Sequence, residues 1–351
     1  MTEKQMLKLL QELISCHSPS GDEREIDIVL LRTFESTGVD VWQDGAGNIY
    51  AHIPGDGPKV MVTAHKDEIG MIVTHVLDNG RLKVINLGGS SPWKYGEGPV
   101  DILTDEGDAV RAILSVGSTH TLTGPISELR DKRALTWDMV TLYTGLSAEE
   151  ILAQGIHPGS RAVVARERKQ LQRLGDMIAS FTLDDRMGLV SLIAALKQIN
   201  DSRLPLDLYF VATTMEETGL LGAIRAAQVL QPDTMIALDT SPATHDTPVV
   251  VDARPVIWYG EGTFHRKADC DTLLRLANEL GFGAQPVVYT GAASDAAGVK
   301  RTGGAGRTVA FGFARDNSHG FEIAHPRSLL NVTSLLVAFL KTQNTLSGNT
   351  V

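Results

Sequence analysis

The sequence predicts an α/β domain interrupted by a small β-rich insert. Three observations predict it. Helix-period and strand-like runs alternate up to about residue 70 and again after about 175. Between 71 and 165 the runs are short, β-like and separated by Gly and Pro turns. Acids and histidines stand just past several of the strand-like runs, and open α/β sheets bind ligands at the carboxyl ends of their strands.

Taken in order, Leu7, Leu10, Leu13 and Ile14 share one face of a first helix. Ser20 and Glu23 have capping-box spacing and predict the start of a second helix, ending near Gly38. Residues 39–44 and 48–53 read as a strand pair around glycine turns. Residues 59–65 form a buried strand that ends at His65. In the insert, 81–86 and 108–114 read as strands and 147–154 as a helix. Beyond 175, helices are predicted over 188–199, 220–230 and 269–280, and strands over 206–213, 234–238, 249–251 and 308–312. A last helix covers 329–342.

Composition narrows the class. A chain of 351 residues suits one large domain or two ordinary ones, and 43% hydrophobic with 21% charged residues is globular usage. The net charge of -10 and the lack of a long basic run argue against nucleic acid as a partner. The stretch from Met1 to Gly21 is amphipathic and charged, unlike a signal peptide. No apolar run approaches the ~20 residues of a membrane span. Cys16 and Cys270 are far apart and form no CxxC, which argues against a disulfide framework or a cysteine zinc site. The expectation is a cytoplasmic protein with no membrane partner. Gly303-Gly304-Ala305-Gly306 is not a dinucleotide fingerprint, because no strand leads into it at the required spacing.

The chemistry concentrates at strand ends. The run Thr213-Thr214-Met215-Glu216-Glu217-Thr218-Gly219 puts two adjacent carboxylates where an apolar strand gives way to glycine. A buried pair of that kind is costly unless a cation compensates it. His65 and Asp67 follow another strand, Asp184 and Asp185 precede a helix, Asp239 ends a strand, and His319 lies in the loop after 308–312. Singly, each has an ordinary reading: a strand-end histidine, a helix cap, a turn former, a loop residue. Jointly they form a candidate metal centre. With His65, Asp184, Glu217, Asp239 and His319 as ligands, three carboxylates oppose the four positive charges of two divalent cations, and one hydroxide closes the balance. Mixed nitrogen and oxygen donors suit zinc, cobalt or manganese better than calcium. Glu216 is then left beside the metals as a general base that moves a proton from water to a leaving amine.

The order His-x-Asp, Asp-Asp-Arg, Glu-Glu, Asp, His resembles the dinuclear-metal aminopeptidases of peptidase family forty-two. These are the tetrahedral or TET type, which includes glutamyl and deblocking aminopeptidases. The likeness covers nearly the whole chain. Its most specific pieces are Leu183-Asp184-Asp185-Arg186-Met187-Gly188 and Met215-Glu216-Glu217-Thr218-Gly219. The resemblance implies a phosphopeptidase-like catalytic domain with a central mixed sheet flanked by helices, over 1–70 and 166–351. It implies an inserted small β-barrel, over 71–165, that makes dimer contacts. It implies that Asp184 bridges two metals, that His65 and Asp239 complete one site, and that Glu217 and His319 complete the other. Asp67 would orient the His65 ring, and Asp185 with Arg186 would brace the bridging loop. Members commonly build tetrahedral dodecamers from dimers, with active sites facing an inner cavity.

Some positions depart from the family pattern. Lys66 stands where a smaller or apolar residue is usual, and strand alternation turns it away from His65. The usual Arg-Tyr-x-His-Ser/Thr-Pro is here Arg315-Asp316-Asn317-Ser318-His319-Gly320-Phe321, and Ala293-Ser294-Asp295-Ala296 replaces Gly-Thr-Asp-Ala. His245, His265 and His325 read as loop residues near the pocket. The expected function is a metal-dependent aminopeptidase acting on peptides. The alternatives are an N-acyl amino acid or small-amide hydrolase of the same clan, a glycoside hydrolase, or an assembly protein without activity. Adjacent glutamates suit a glycosidase poorly, because its two acids face each other across the sugar, roughly 5–9 Å apart.

Overall fold

A computed structural model describes residues 1–130, 134–200, 202 and 204–343. The chain opens with two helices, α1 (Glu3–Ser15) and α2 (Arg24–Glu35). Three strands follow: β1 (Asp40–Gln43), β2 (Ile49–Ile53) and β3 (Lys59–His65). The next segment carries β4 (Gly70–Val76), β5 (Arg81–Leu87), α3 (Pro92–Tyr95), β6 (Gly98–Leu103), β7 (Ala109–Ser115), α4 (Pro125–Arg130), β8 (Thr141–Tyr143), α5 (Ala148–Ala153) and β9 (Arg161–Val164). The remainder is β10 (Gln172–Leu174), β11 (Met177–Ser180), α6 (Leu183–Asn200), β12 (Asp207–Thr213), α7 (Leu221–Leu230), β13 (Thr234–Pro242), β14 (Pro255–Glu261), α8 (Lys267–Glu279), β15 (Gln285–Tyr289), α9 (Asp295–Arg301), β16 (Arg307–Asp316), β17 (Glu322–Ala324) and α10 (Ser328–Thr342).

Two sheets result. Strands β4, β5, β8, β7, β6 and β9 close into an antiparallel barrel around Val73, Leu82, Val100, Leu114 and Leu142. The larger, mixed sheet runs β1-β2-β12-β3-β13-β16-β17-β11-β10, with β14 pairing to β16 and β15 to β14. Its centre is parallel: β12 and β13 flank β3, and β16 lies beside β13. The register sets Thr213 opposite His65 and Asp239 opposite Gly312, so the carboxyl ends of four neighbouring strands share one rim.

Helices cover both faces of this sheet. On one side, α1, α2, α6, α8 and α10 bury a continuous core; on the other, α7 and α9 pack small residues such as Ala223, Ala226, Ala227 and Ala296. Helix α1 is amphipathic and buries Met6, Leu9, Leu10, Leu13 and Ile14, each contributing about 1.5–3 kcal/mol of burial free energy. Helix α6 is buried on nearly every side, because it lies between the sheet and helices α1 and α10.

Two expectations differ from the structure, and strands β14 and β15 went unpredicted. Ser20 and Glu23 do not form a capping box: α2 starts at Arg24 with no side-chain cap. Ser20 Oγ instead donates to Asp67, and the Glu23 carboxylate accepts from Gly21 N and Thr214 Oγ1. Tertiary partners at the rim outcompete a local cap. Residues 249–251 are not a strand; the strand comes later, as β14, and the 249–251 segment is a loop tied at Val250 N to Gln285 Oε1. Strands β14 and β15 escape the sequence pattern because each carries a proline near its start, and Pro286 is tolerated on the outermost strand of its side of the sheet. Among the described residues, no helix is long and apolar enough to cross a membrane.

Candidate metal centre

His65 ends β3, and its ring is held from behind. Nδ1 donates to the main-chain oxygen of Asp67 (3.1 Å) and lies 3.5 Å from the Asp67 carboxylate. That fixes the tautomer and leaves the Nε2 lone pair facing Asp184 Oδ1 at 3.1 Å. His319 repeats the device from the far side. Its Nδ1 donates to Gly89 O (3.0 Å), and its Nε2 points toward Glu217 (3.7 Å) and Asp184 (3.8 Å). Two imidazoles thus aim acceptor nitrogens at carboxylates, an arrangement that calls for a proton or a cation between them.

Asp67 is fully buried and organises more than the ring. Its carboxylate accepts Ser20 Oγ (2.5 Å), Glu216 N (3.0 Å) and Glu217 N (3.2 Å), so it positions the loop after β12. Asp184 stands at the kinked start of α6, where Asp184 and Asp185 lack helical dihedrals and are joined by a cis peptide bond. Asp184 N donates to Glu322 (3.0 Å), and Asp185 accepts from Gly188 N (3.0 Å). Arg186 donates to Lys66 O (2.5 Å) and to Ser18 Oγ. Lys66 itself is buried away from the site and pairs with Asp27.

The loops that carry these residues hold uncommon backbone. Thr182, Met215, Leu220, Asn317 and His319 all adopt positive φ without being glycine. Such conformations cost free energy and persist where surrounding structure over-determines them.

The side chains converge as three overlapping groups, with ligand atoms inside each group no more than 4.8 Å apart. One is His65, Glu216 and Glu217, with Glu216 Oε2 3.9 Å from His65 Nε2. The other two, His65 with Asp184 and Asp239, and Asp184 with Glu217 and His319, share Asp184. All three pieces are almost sealed from solvent except His319.

Charge is poorly balanced by the protein alone. Burial pushes the Glu216 carboxyl well above its usual range against the pull of His65, and neighbouring Asp239 and Glu217 add to the rise. Burial likewise raises Asp239, with Asp184 and Asp185 adding repulsion, and lifts Glu217 to about 7. Burial opposes ionisation of Asp184 too, but Arg315, 2.6 Å away, and the two histidines hold its carboxyl well below the normal range. Burial also disfavours a charged His65, yet Glu216, Asp184 and Asp67 raise its affinity for a proton well above normal. Protons here do what a divalent cation does better, and the mixed nitrogen and oxygen donors of these groups fit a transition-metal ion.

Several contributors had not been singled out from sequence. Arg315 pairs with Asp184 and Glu322, and the Glu322 carboxylate in turn accepts from His319 N and Asp184 N. Asp295 accepts from Thr213 Oγ1 (2.6 Å), and burial lifts its carboxyl to about 6. Gly89, in the loop after β5, supplies the carbonyl that orients His319 from the barrel side. The glycine pair Gly88-Gly89 was the available sequence signal. His265 does lie in a loop, between β14 and α8, but it does not line the pocket: it is buried between Glu261 (2.8 Å) and Thr308. His245 is exposed and His325 partly exposed, and neither lines the pocket.

Comparison with known proteins agrees with this picture. A profile of the M42 glutamyl aminopeptidase family matches residues 47–335. The putative aminopeptidase FrvX of Escherichia coli is 30% identical over 257 residues, which is 73% of this chain and 70% of that protein. The solved aminopeptidase of the archaeon Desulfurococcus kamchatkensis superposes with a TM-score of 0.87 at 26% identity over 99% of both chains. The TET1 peptidase of Pyrococcus horikoshii, which can assemble into a tetrahedron or a large octahedral shell, superposes with a TM-score of 0.83 at 27% identity, over 95% of this chain and 99% of that one. The chain belongs to the M42 glutamyl aminopeptidase family and, with it, to the metal-dependent hydrolases of peptide bonds.

Proposed function

We propose that the protein is a two-metal aminopeptidase that removes N-terminal residues from peptides. The observation that carries this reading is the sharing of Asp184 by two three-residue groups, with Glu216 close enough to form a third group with His65 and Glu217. His65, Asp184 and Asp239 would hold one divalent ion, and Asp184, Glu217 and His319 the other, with zinc, cobalt or manganese as the candidates. When bound, such ions polarise a scissile carbonyl and acidify water. Asp67 keeps His65 Nε2 aimed at its ion and seats the Glu216–Glu217 main chain. Glu216, outside the ligand set, takes the proton of the attacking water and delivers it to the leaving amine.

The assembly is part of the proposal. The catalytic body would span 1–70 and 166–351, of which 201, 203 and 344–351 lie outside the described residues. The barrel body would span 71–165, where 131–133 are also outside them. The protein would form a homo-oligomer built from dimers through the barrel, up to a tetrahedral dodecamer; the assembly of the Pyrococcus horikoshii relative into a tetrahedron or a large octahedral shell supports the homo-oligomer.

The test is hydrolysis of aminoacyl-anilides and short peptides after chelation and after return of each metal. Glu216→Gln should lower kcat by about 10²–10⁴ while metal content stays unchanged. Activity indifferent to chelation, or surviving Glu216→Gln, would overturn the mechanism.

A further inference from the structure

We propose that the pocket beside the metal centre takes a cationic N-terminal side chain, lysine or arginine, with Asp246 as its partner, and disfavours an acidic one. The inference rests on the aminopeptidase reading and deepens it.

A cavity of about 560 Å³ takes in the metal centre and extends along β13 past Asp239 to the buried Thr240 and Pro242. Trp258 on β14 and Tyr289 at the end of β15 form its wall, their rings 4.6 Å apart and tilted edge to face. Both rings direct their polar atoms into the wall. Trp258 Nε1 donates to Ser241 Oγ (2.7 Å) and the Tyr289 hydroxyl to Pro242 O (2.9 Å). The cavity therefore meets ring surface and the methyl groups of Leu220, Ala292 and Ala293, which suit an aliphatic stem.

Charge decides what the stem carries at its tip. Outside the ligand groups and Glu216, two charged side chains line the cavity, Arg315 and Asp246. Arg315 is engaged: its two terminal nitrogens bond Asp184 (2.6 Å) and Glu322. No other lysine or arginine among the lining residues is available to a substrate carboxylate. Asp246 lies in the turn after β13, seven positions beyond Asp239, lines the cavity and is solvent-exposed. Thr244 Oγ1 donates to it (2.7 Å), and Thr244 is itself tied to Thr247 (3.0 Å), so the turn has a defined shape. A carboxylate accepts more than one hydrogen bond, so Asp246 retains capacity for an ammonium or guanidinium.

Exposure limits the size of the effect, because a solvated ion pair contributes little and salt screens it. Replacing Asp246 by Asn should therefore lower the Lys-to-Leu ratio of kcat/KM by about threefold. Asp246→Lys should shift the Lys-to-Glu ratio further, by about tenfold, since attraction becomes repulsion. The wild-type enzyme should prefer lysyl and arginyl anilides over the glutamyl anilide, and the preference should weaken as salt rises.

A measurement without turnover separates this proposal from the mechanism. Lysinamide, leucinamide and the α-amide of glutamic acid are titrated calorimetrically into metal-loaded Glu216→Gln protein. Tightest binding of lysinamide, reduced by the additional Asp246→Asn change, supports the pocket even if no anilide is cleaved. Tightest binding of the glutamic acid amide overturns it and assigns the charge selection to Arg315, and ratios that ignore Asp246 overturn Asp246 as the partner.

Discussion

Gly89 has no side chain, and the placement of the His319 ring depends on that. A Cβ there would stand 2.7 Å from Cε1 and 2.8 Å from Nδ1 of His319, whose ring is hydrogen-bonded to the Gly89 carbonyl. Gly89→Ala should displace the imidazole and weaken metal binding by about 10–100-fold, the usual cost of losing a partner that orients a ligand. Competition with a chelating dye measures it, and unchanged affinity would refute the orienting role. Asp67→Asn tests the same logic on the other side. It keeps the shape but weakens three charge-assisted bonds at once, from Ser20, Glu216 N and Glu217 N. Its metal affinity should fall in the same range, with kcat falling further because Glu216 loses its seat.

Among the elements, α6 carries the most consequential irregularity. Its first two acids leave helical geometry so that Asp184 reaches the rim, and the helix proper resumes at Arg186. Gly188 makes the resumption possible: a Cβ would fall 2.1 Å from Asp185 Oδ2, while Gly188 N bonds the same carboxylate. In an ordinary exposed helix, Gly→Ala stabilises. Here Gly188→Ala should destabilise the fold by about 1–3 kcal/mol through overpacking, read as a lowered urea midpoint. The same crowding governs the pairing of β13 with β16, where a Cβ on Gly312 would meet Asp239 O at 1.6 Å. Helix α2 shows why local signals fail at this rim. Ser20 and Glu23 have the spacing of a cap, but Asp67 and Thr214 offer buried partners, and satisfying buried polar groups outweighs an exposed cap.

At the scale of the whole molecule, barrel and sheet domain are joined by buried charge. Asp101 on β6 accepts from His17 Nε2 (3.0 Å), Arg111 Nε (2.7 Å) and Arg166 N (3.1 Å). Close by, the buried Lys169 ammonium bonds Glu68 (2.6 Å) and approaches His17 Nδ1 (3.2 Å). Burial opposes the Asp101 charge, but those three donors hold its carboxyl far below the ordinary value. A lowered folded pKa contributes stability that is fully present above the unfolded value, ~3.9, and lost as pH falls through the folded one. Asp101→Asn should therefore cost about 2–3 kcal/mol at pH 7, and the gap to wild type should narrow below about pH 4. Urea unfolding at several pH values checks this, and a gap that stayed constant into acid would refute it.

Periodicity and punctuation in the sequence were enough to place most of the helices, the central parallel strands and the β-rich interruption. They also placed His65, Asp184, Glu216, Glu217, Asp239 and His319 at strand ends or in the loops beside them, because strand-end chemistry follows chain direction and leaves a linear trace. The edge strands β14 and β15, the fate of Ser20 and Glu23, and the parts played by Gly89, Arg315, Glu322 and Asp295 have no such trace. Each depends on a neighbour far away in the chain: Gly89 is 230 positions from His319, and Asp295 is 82 from Thr213. Hydrogen bonds and excluded volume act through space, so only the folded chain decides which distant carbonyl orients a ligand and which glycine must remain bare.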